Sequence, residues 1–174
     1  MLSVIIGPMF AGKTTEMCRR VHKYELGKRR VMVVKHSLDT RYSDENIIYN
    51  HEKHKLFSDN IVSASRLADV RDELSEVEVI GIDEGQFYPD LVDEVLFHLR
   101  NGKRIIISAL DSDYNQELFL EVAKLLPYAN TFEKHTAVCD CGEDATATIR
   151  LNRDEDRIKI GGKDEYGVRC INCL

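Results

Sequence analysis

The stretch Gly7–Thr14 constrains this chain of 174 residues more than any other. It fits the pattern G-x-x-x-x-G-K-[ST], in which backbone N–H groups wrap a nucleotide phosphate. The apolar run Leu2–Ile6 before it predicts a buried strand, and Thr15–Cys18 after it predicts a first helical turn. Phosphate binding requires this order, because a helix N-terminus adds positive partial charge. The alternative is a chance glycine turn with a surface lysine, and the agreement of strand, loop and helix favours the phosphate loop.

The loop residues have distinct expected roles. Two glycines permit backbone conformations that a Cβ atom would block. Lys13 can reach the β- and γ-phosphates of a nucleotide, and the Thr14 hydroxyl can bind Mg²⁺. The predicted nucleotide-binding residues of this stretch are Gly7, Pro8, Met9, Phe10, Ala11, Gly12, Lys13, Thr14 and Thr15.

A second feature is a pair of carboxylates at the end of an apolar strand. The run Val77–Ile82 is followed directly by Asp83 and Glu84. In a phosphate-loop fold the first carboxylate at such a strand end faces the metal, which assigns Asp83 to Mg²⁺. Glu84 would project into the same crevice and could accept a proton from an attacking hydroxyl or water. The alternative is a solvated acidic turn.

Strand-like and helical patterns alternate along the chain. Further strands are predicted at Val31–Val34, Ile105–Ile107 and Thr131–Val138, and helices after Thr14, at Ala64–Leu74, after Pro89 and at Gln116–Leu126. The polar stretch Lys35–Asn60 is interpreted as a long loop with some local structure. This alternation predicts an α/β fold with a mainly parallel sheet flanked by helices.

Four of the five cysteines lie near the C-terminus. Two short strands between the cysteine pairs, at Thr146–Leu151 and Arg157–Ile160, would suit a zinc ribbon. The predicted zinc ligands are Cys139, Cys141, Cys170 and Cys173. The spacing of the first pair is one residue short of a usual zinc knuckle, so Asp140 is an alternative to Cys141. Four reduced thiols in a small satellite core are the alternative to a metal, and Cys18 is interpreted as a core residue.

The character of the chain changes at residue 139, which divides it into a nucleotide-binding domain, 1–138, and a ribbon domain, 139–174. The formal net charge of −6 and the pI of about 5.5 argue against nucleic acid as a partner. No apolar run is long enough to span a membrane, and the first strand begins at Leu2. We therefore expect a cytoplasmic protein without a membrane partner.

Several motifs together resemble the cellular and poxvirus-type (type II) thymidine kinase family. They are Gly7–Thr14, Asp39–Tyr42, Gly81–Phe87, Ala109–Asp111, Thr136–Cys139 and Ile160–Gly162. The resemblance runs from about Leu2 to Cys173, and Gly81–Phe87 is far more specific than a phosphate loop alone. It implies a phosphate-loop α/β fold with a small C-terminal ribbon and a lasso loop that covers the nucleoside.

The resemblance also implies a reaction and a set of site residues. The reaction is transfer of the ATP γ-phosphate to the 5′-hydroxyl of thymidine, and less well of deoxyuridine, in nucleotide salvage. Glu84 is then the general base, Lys13 and Arg41 are catalytic, and Asp39 and Asp83 join the nucleotide site, with Thr14 and Asp83 at Mg²⁺. The implied nucleoside-binding residues are Met9, Gln86, Phe87, Leu110, Tyr114, Thr148, Arg150, Ile158, Ile160, Gly161 and Tyr166. Members are similar in being homotetramers inhibited by dTTP.

Two other classes of function compete with this reading of the sequence. A phosphate-loop ATPase would use Glu84 to activate water and would hydrolyse ATP without a nucleoside. A non-enzymatic zinc-ribbon module would bind nucleic acid, which the acidic charge and the lack of interleaved basic and aromatic clusters oppose.

Overall fold

The computed structural model describes residues 1–38, 48–49, 55–57, 60–152 and 161–174. The strands are β1 Leu2–Gly7, β2 Val31–His36, β3 Ile48–Tyr49, β4 Lys55–Phe57, β5 Ile61–Ala64, β6 Val79–Ile82, β7 Arg104–Leu110, β8 Thr131–Lys134, β9 Ala137–Val138, β10 Asp144–Ala145, β11 Ala147–Arg150 and β12 Tyr166–Arg169. The helices are α1 Lys13–Leu26, α2 Arg71–Ser75, α3 Leu91–Arg100 and α4 Leu120–Ala123, with 3-10 turns at Leu67–Val70, Gly85–Phe87 and Leu126–Tyr128.

Within the described residues, six strands form the main sheet in the order β5-β2-β6-β7-β1-β8. Every neighbouring pair in this sheet is parallel. The central strands are continuous apolar runs because both of their faces are covered. All six carboxyl ends meet at one edge, where ligands bind in folds of this class. The predicted α/β fold with a mainly parallel sheet is therefore confirmed.

Two apolar cores cover the faces of the sheet. On one face α1 packs Met17, Cys18 and Val21 against β2, β6 and β7. On the other face α3 and the turns before it pack against the central strands, with Leu91 and Val95 fully buried. No helix among the described ranges combines the length and apolar character that crossing a membrane would require.

Three predicted elements differ from the structure. The stretch Ala64–Leu74 is not one helix, since it starts at the end of β5 and continues as a 3-10 turn and the short α2. The expected helix Gln116–Leu126 is reduced to α4, because Leu118 forms an isolated antiparallel bridge with Ser112 and Phe119 is extended. The expected strand Thr131–Val138 is split into β8, in the main sheet, and β9, which pairs with β10.

The C-terminal part of the chain forms two small antiparallel pairs, β9 with β10 and β11 with β12. The strand predicted at Arg157–Ile160 lies outside the described residues, and β11 pairs with Tyr166–Arg169. A third small core joins this part to the phosphate loop. It contains Ala11, Ala137, Cys139, Ala145 and Cys170, with Phe10 and Val168 packed against it.

The stretch Lys35–Asn60 is only partly described. Its first residues complete β2, and Ile48–Tyr49 pairs antiparallel with Lys55–Phe57. The next strand, β5, begins at Ile61 and lies parallel to β2 at the edge of the sheet. Sequence patterning missed β5 because a run of four residues is too short to show a period.

Candidate active site

The phosphate loop connects β1 to α1 with a backbone that depends on glycine. Gly12 has a left-handed φ of 71° at the start of α1. Gly7 has φ 142°, and a Cβ atom there would lie 2.3 Å from the carbonyl oxygen of His135. The ammonium group of Lys13 is buried under the loop and donates to the Pro8 carbonyl at 2.6 Å. The Lys13 ammonium group is therefore held against the backbone of the loop, at the end of the sheet where anions bind.

Asp83 connects the phosphate loop to the centre of the sheet. Its carboxylate oxygen Oδ1 accepts a hydrogen bond from the Thr14 hydroxyl at 2.9 Å and another from the Ser108 hydroxyl at 2.5 Å. Carboxylate and hydroxyl oxygens are the ligands that Mg²⁺ prefers, so the donor set suits that ion. Ser108 was not predicted, although it is the one polar residue in the run Ile105–Leu110. Burial, followed by the charge of Asp83, raises the pKa of the neighbouring Cys18 thiol, as expected for a core cysteine.

Glu84 lies directly after Asp83 in a strained backbone conformation. It is half-buried and has φ 52° and ψ 46°, a left-handed region that side chains other than glycine seldom adopt. The side-chain amide of Gln86 donates to its carboxylate at 2.6 Å. The Gln86 oxygen in turn accepts from the Leu110 backbone N–H at 2.9 Å. The carboxylate is therefore oriented by an amide that is itself fixed to β7.

Predicted nucleoside-binding residues from distant parts of the chain meet beside the phosphate loop. The Met9 backbone N–H donates to the Thr148 hydroxyl at 3.0 Å, and both residues are buried. The Arg150 guanidinium lies 4.2 Å from the Tyr114 ring centroid and donates to the Tyr166 hydroxyl at 2.7 Å. Cation–π contact and hydrogen bond together fix these three side chains relative to one another.

A cleft of about 470 Å³ opens next to Gln86. Its other walls are the consecutive residues Glu117, Leu118, Phe119, Leu120 and Glu121. Small-molecule sites commonly have volumes of about 300–1,000 Å³, so the cleft is large enough for a nucleoside. Sequence reasoning missed this wall because it assigned Gln116–Leu126 to a helix.

The four C-terminal cysteines form one cluster. Their sulfur atoms all lie within 4.8 Å of one another, and the Cys141 and Cys170 sulfurs are 3.6 Å apart. A tetrahedral site with Zn–S bonds of about 2.3 Å requires sulfur separations of roughly 3.8 Å, so the geometry suits Zn²⁺. Hydrogen bonds from the backbone N–H groups of Cys141 and Cys170 lower the pKa of the Cys139 thiol to about 6, which favours the thiolate ligand. The Asp140 carboxylate instead pairs with Arg169 at 2.9 Å, so Cys141 and not Asp140 completes the cluster.

The remaining predicted residues lie outside the contacts described above. Phe87 lies with its ring 5.5 Å from that of His36, a buried residue at the carboxyl end of β2 that was not predicted. Thr15 is exposed on the first turn of α1, and Gly161 lies against Glu165 before β12. Four predicted site residues fall outside the described residues and stay predictions, namely Asp39, Arg41, Ile158 and Ile160.

Comparison with known proteins decides the family. The model of the family described as thymidine kinase matches residues 1–174. The chain belongs to the thymidine kinase family. The thymidine kinase of Choristoneura fumiferana entomopoxvirus is 37% identical over 176 residues, which cover 99% of this chain and 95% of that protein. The cytosolic thymidine kinase of Bos taurus is 38% identical over 173 residues, which cover 99% of this chain and 71% of that protein.

The resemblance to cellular and poxvirus thymidine kinases inferred from the motifs is thus confirmed, and with it the assignment to a family of kinases. A structural likeness supports the fold alone. The flagellar accessory protein FlaH of Methanocaldococcus jannaschii superposes with a TM-score of 0.51 at 14% identity, over 89% of this chain and 74% of that protein.

Proposed function

We propose that this thymidine kinase transfers the γ-phosphate of ATP to the 5′-hydroxyl of thymidine, with Glu84 as the general base. The full-length match to the family carries the reaction class. The residue roles are supported by the way the phosphate loop, Asp83 and Glu84 meet at the carboxyl edge of the sheet.

The phosphate loop binds the donor. Its backbone N–H groups and the N-terminus of α1 face the β-phosphate, and Lys13 exchanges the Pro8 carbonyl for phosphate oxygens. Thr14 and Asp83 would hold Mg²⁺, which neutralises negative charge on the phosphates when it is bound. Asp39 and Arg41 are also proposed to act on the phosphates of ATP, Asp39 in nucleotide binding and Arg41 in catalysis.

Glu84 is the proposed base for the 5′-hydroxyl of thymidine. Its carboxylate accepts the proton of the thymidine 5′-hydroxyl while that oxygen forms a bond to the γ-phosphorus. The bond between the γ-phosphorus and the β,γ-bridging oxygen breaks, and ADP leaves with the electron pair. Gln86 keeps the carboxylate aimed, because its own amide oxygen is fixed by the Leu110 N–H.

The first test replaces the base. Glu84→Gln preserves shape and should lower kcat by roughly 10²–10⁴-fold with a modest change in KM, because proton transfer is lost and binding is kept. Glu76→Gln makes the same chemical change at an exposed residue directly after α2, outside the site, and serves as the control. ATP consumption is measured with and without thymidine. Near-normal turnover by Glu84→Gln would remove Glu84 from the base role, and consumption independent of thymidine would favour an ATPase.

The second test concerns the base of the nucleoside. We propose that Met9, Leu110 and Tyr114 surround the thymine 5-methyl group, and that the loop before Gly161 reads the pyrimidine edge through its backbone. A methyl group in an apolar pocket discriminates by about 10–200-fold, so deoxyuridine should be a poorer but real substrate. Deoxycytidine should be rejected more strongly, because its reversed donor and acceptor pattern leaves buried groups unpaired. Values of kcat/KM for the three nucleosides check this, and deoxycytidine turnover comparable with thymidine would contradict it.

The cysteine cluster is proposed to hold one structural Zn²⁺ per chain. Thiolate binding would stabilise the ribbon, 139–174, and through it the third core that touches the phosphate loop. Elemental analysis of freshly purified protein should give one zinc per chain, lost in Cys141→Ser and retained in Cys18→Ala, whose thiol lies outside the cluster. A folded and active protein without stoichiometric metal would disprove the site.

Four further properties extend this proposal. The cytosolic designation of the Bos taurus relative supports a cytoplasmic location, and family membership supports a role in nucleotide salvage. We also propose a homotetramer that dTTP inhibits. Light scattering during gel filtration measures the mass, and competition of dTTP against thymidine measures inhibition. A monomer unaffected by dTTP would contradict both statements while leaving the reaction itself intact.

A further inference from the structure

Ser108 is a buried polar residue that has no role in the proposed reaction. It lies in β7 among isoleucines and alanine, and its exposed fraction is 1%. Its hydroxyl donates to Asp83 Oδ1 at 2.5 Å. A buried hydroxyl needs a partner, and the partner is here the carboxylate that also receives the Thr14 hydroxyl.

The sheet register makes this contact a fixed one. Ile82 of β6 is paired with Ile107 of β7, so the next residues along, Asp83 and Ser108, continue as neighbours. Ser108 is also the register partner of Ile5 in β1. It therefore lies between the strand that leads to the phosphate loop and the strand that carries Asp83, at the centre of the six-stranded sheet. A donor at this place moves less than one on a loop.

Thr14 and Ser108 donate to the same oxygen from different directions. Thr14 lies in the first turn of α1, where its oxygen would be a ligand of Mg²⁺ while its proton goes to Asp83. Ser108 has no such second task, because it is enclosed by the sheet and the α1 layer. Of these two donors to the Asp83 carboxylate, Thr14 would take part in ligand binding and Ser108 would fix the orientation of the carboxylate.

We propose that Ser108 is a positioning residue for the phosphate-transfer site, which holds the Asp83 carboxylate in the orientation that accepts the Thr14 proton. The proposal rests on the proposed function, in which Thr14 and Asp83 support Mg²⁺. Without the Ser108 hydroxyl, the carboxylate loses the buried donor that orients it from within the sheet, and the Thr14 hydroxyl then meets a less firmly oriented acceptor. The effect should therefore appear in the metal dependence of the enzyme and not in its affinity for thymidine.

The test compares Ser108→Ala with a matched variant, Ser3→Ala. Ser3 is also a buried serine of a central strand, and its hydroxyl contacts Thr131 and Arg20. Ser108→Ala should raise the Mg²⁺ concentration for half-maximal kcat by about tenfold, the size expected when one hydrogen bond to a charged group is lost. The KM for thymidine should stay within about twofold, and Ser3→Ala should leave both quantities at the wild-type value while lowering the Tm.

A binding measurement avoids dependence on turnover. Mn²⁺ is titrated into the protein with ADP, and free Mn²⁺ is followed by electron paramagnetic resonance. Ser108→Ala should weaken Mn²⁺ binding by about the same factor as the Mg²⁺ requirement, and Ser108→Thr, which keeps a hydroxyl on a strand-compatible side chain, should restore it. Ser108→Cys, close in volume to serine but a weak donor, is the second variant if Ser108→Ala does not fold, and a loss of Mn²⁺ affinity is expected there too.

The outcomes separate the positioning role from the proposed function. Wild-type Mn²⁺ affinity in Ser108→Ala or in Ser108→Cys overturns the positioning role, even if the Tm falls. Failure of Ser108→Thr to restore binding overturns it as well. Asp83→Asn tests the underlying assignment, since normal Mn²⁺ binding and thymidine turnover in that variant would refute the metal role of Asp83, whatever Ser108 does.

Discussion

The hydrogen bond between Met9 and Thr148 gives a quantitative prediction about how the C-terminal part supports the phosphate loop. Thr148→Val replaces the hydroxyl with a methyl group of similar size and leaves the Met9 N–H without its acceptor. Met9 is 8% exposed and Thr148 3% exposed, so water cannot easily replace the lost partner. An unsatisfied buried donor costs about 1–3 kcal/mol, and we expect a loss of about 2 kcal/mol in the free energy of unfolding. For a chain of this size that corresponds to a fall of roughly 4–8 °C in Tm.

The assay is thermal and urea unfolding of the zinc-loaded protein, followed by circular dichroism. Thr136→Val is the control, because the same change there removes an exposed hydroxyl that donates to Asp144 at 3.0 Å. The control should change stability by no more than about 0.5 kcal/mol. If the two variants have the same free energy of unfolding, the buried bond contributes no more than a surface one, and the reasoning from burial is refuted.

Two further predictions concern the loop backbone and the first helix. Gly7→Ala should lower the free energy of unfolding by about 2–6 kcal/mol, because it combines backbone strain with a clash against the His135 carbonyl. Gly162→Ala, which has open space around its Cβ position, should leave that free energy nearly unchanged in chemical unfolding. Equal stability of the two variants would contradict the clash. The side chain of Arg19 is the main cause that lowers the pKa of Glu16 from 4.5 to about 2. The stability from ionised Glu16 is therefore present above pH 4.5 and is lost as the pH falls toward 2. Over that range the free energy of unfolding should fall less steeply in Glu16→Gln than in the wild type. Identical pH profiles of the two proteins would argue against the pairing.

The sequence predicted the parts of the site that are continuous in the chain. The phosphate loop needs its neighbouring strand and helix, and Asp83–Glu84 needs an apolar strand before it, so both features carry their structural context with them. The four cysteines were predicted to act together from two closely spaced pairs, and the structure brings their sulfur atoms into one cluster. The phosphate loop and the carboxylate pair depend on local physics that a window of residues contains, whereas the two cysteine pairs meet through the fold.

The parts that sequence could not supply depend on contacts between distant residues. Nothing near Ser108 in the chain indicates that its hydroxyl meets Asp83, because the sheet register creates that pair. The wall from Glu117 to Glu121 was assigned to a helix from its apolar spacing, whereas a bridge between Leu118 and Ser112 keeps the first part of this stretch extended. No strand was predicted at Tyr166, and its pairing with Arg150 across β11 and β12 makes it a strand residue.

The left-handed backbone at Glu84 has a consequence for how this enzyme would respond to selection. Glycine is the residue of lowest energy at such a position, and a side chain there costs about 1–3 kcal/mol. A library screened for heat resistance alone should therefore enrich Glu84→Gly, while a library screened for growth on thymidine should retain glutamate. Selection for thermal stability and selection for turnover therefore favour different residues at position 84, because the left-handed backbone suits glycine whereas turnover requires the carboxylate.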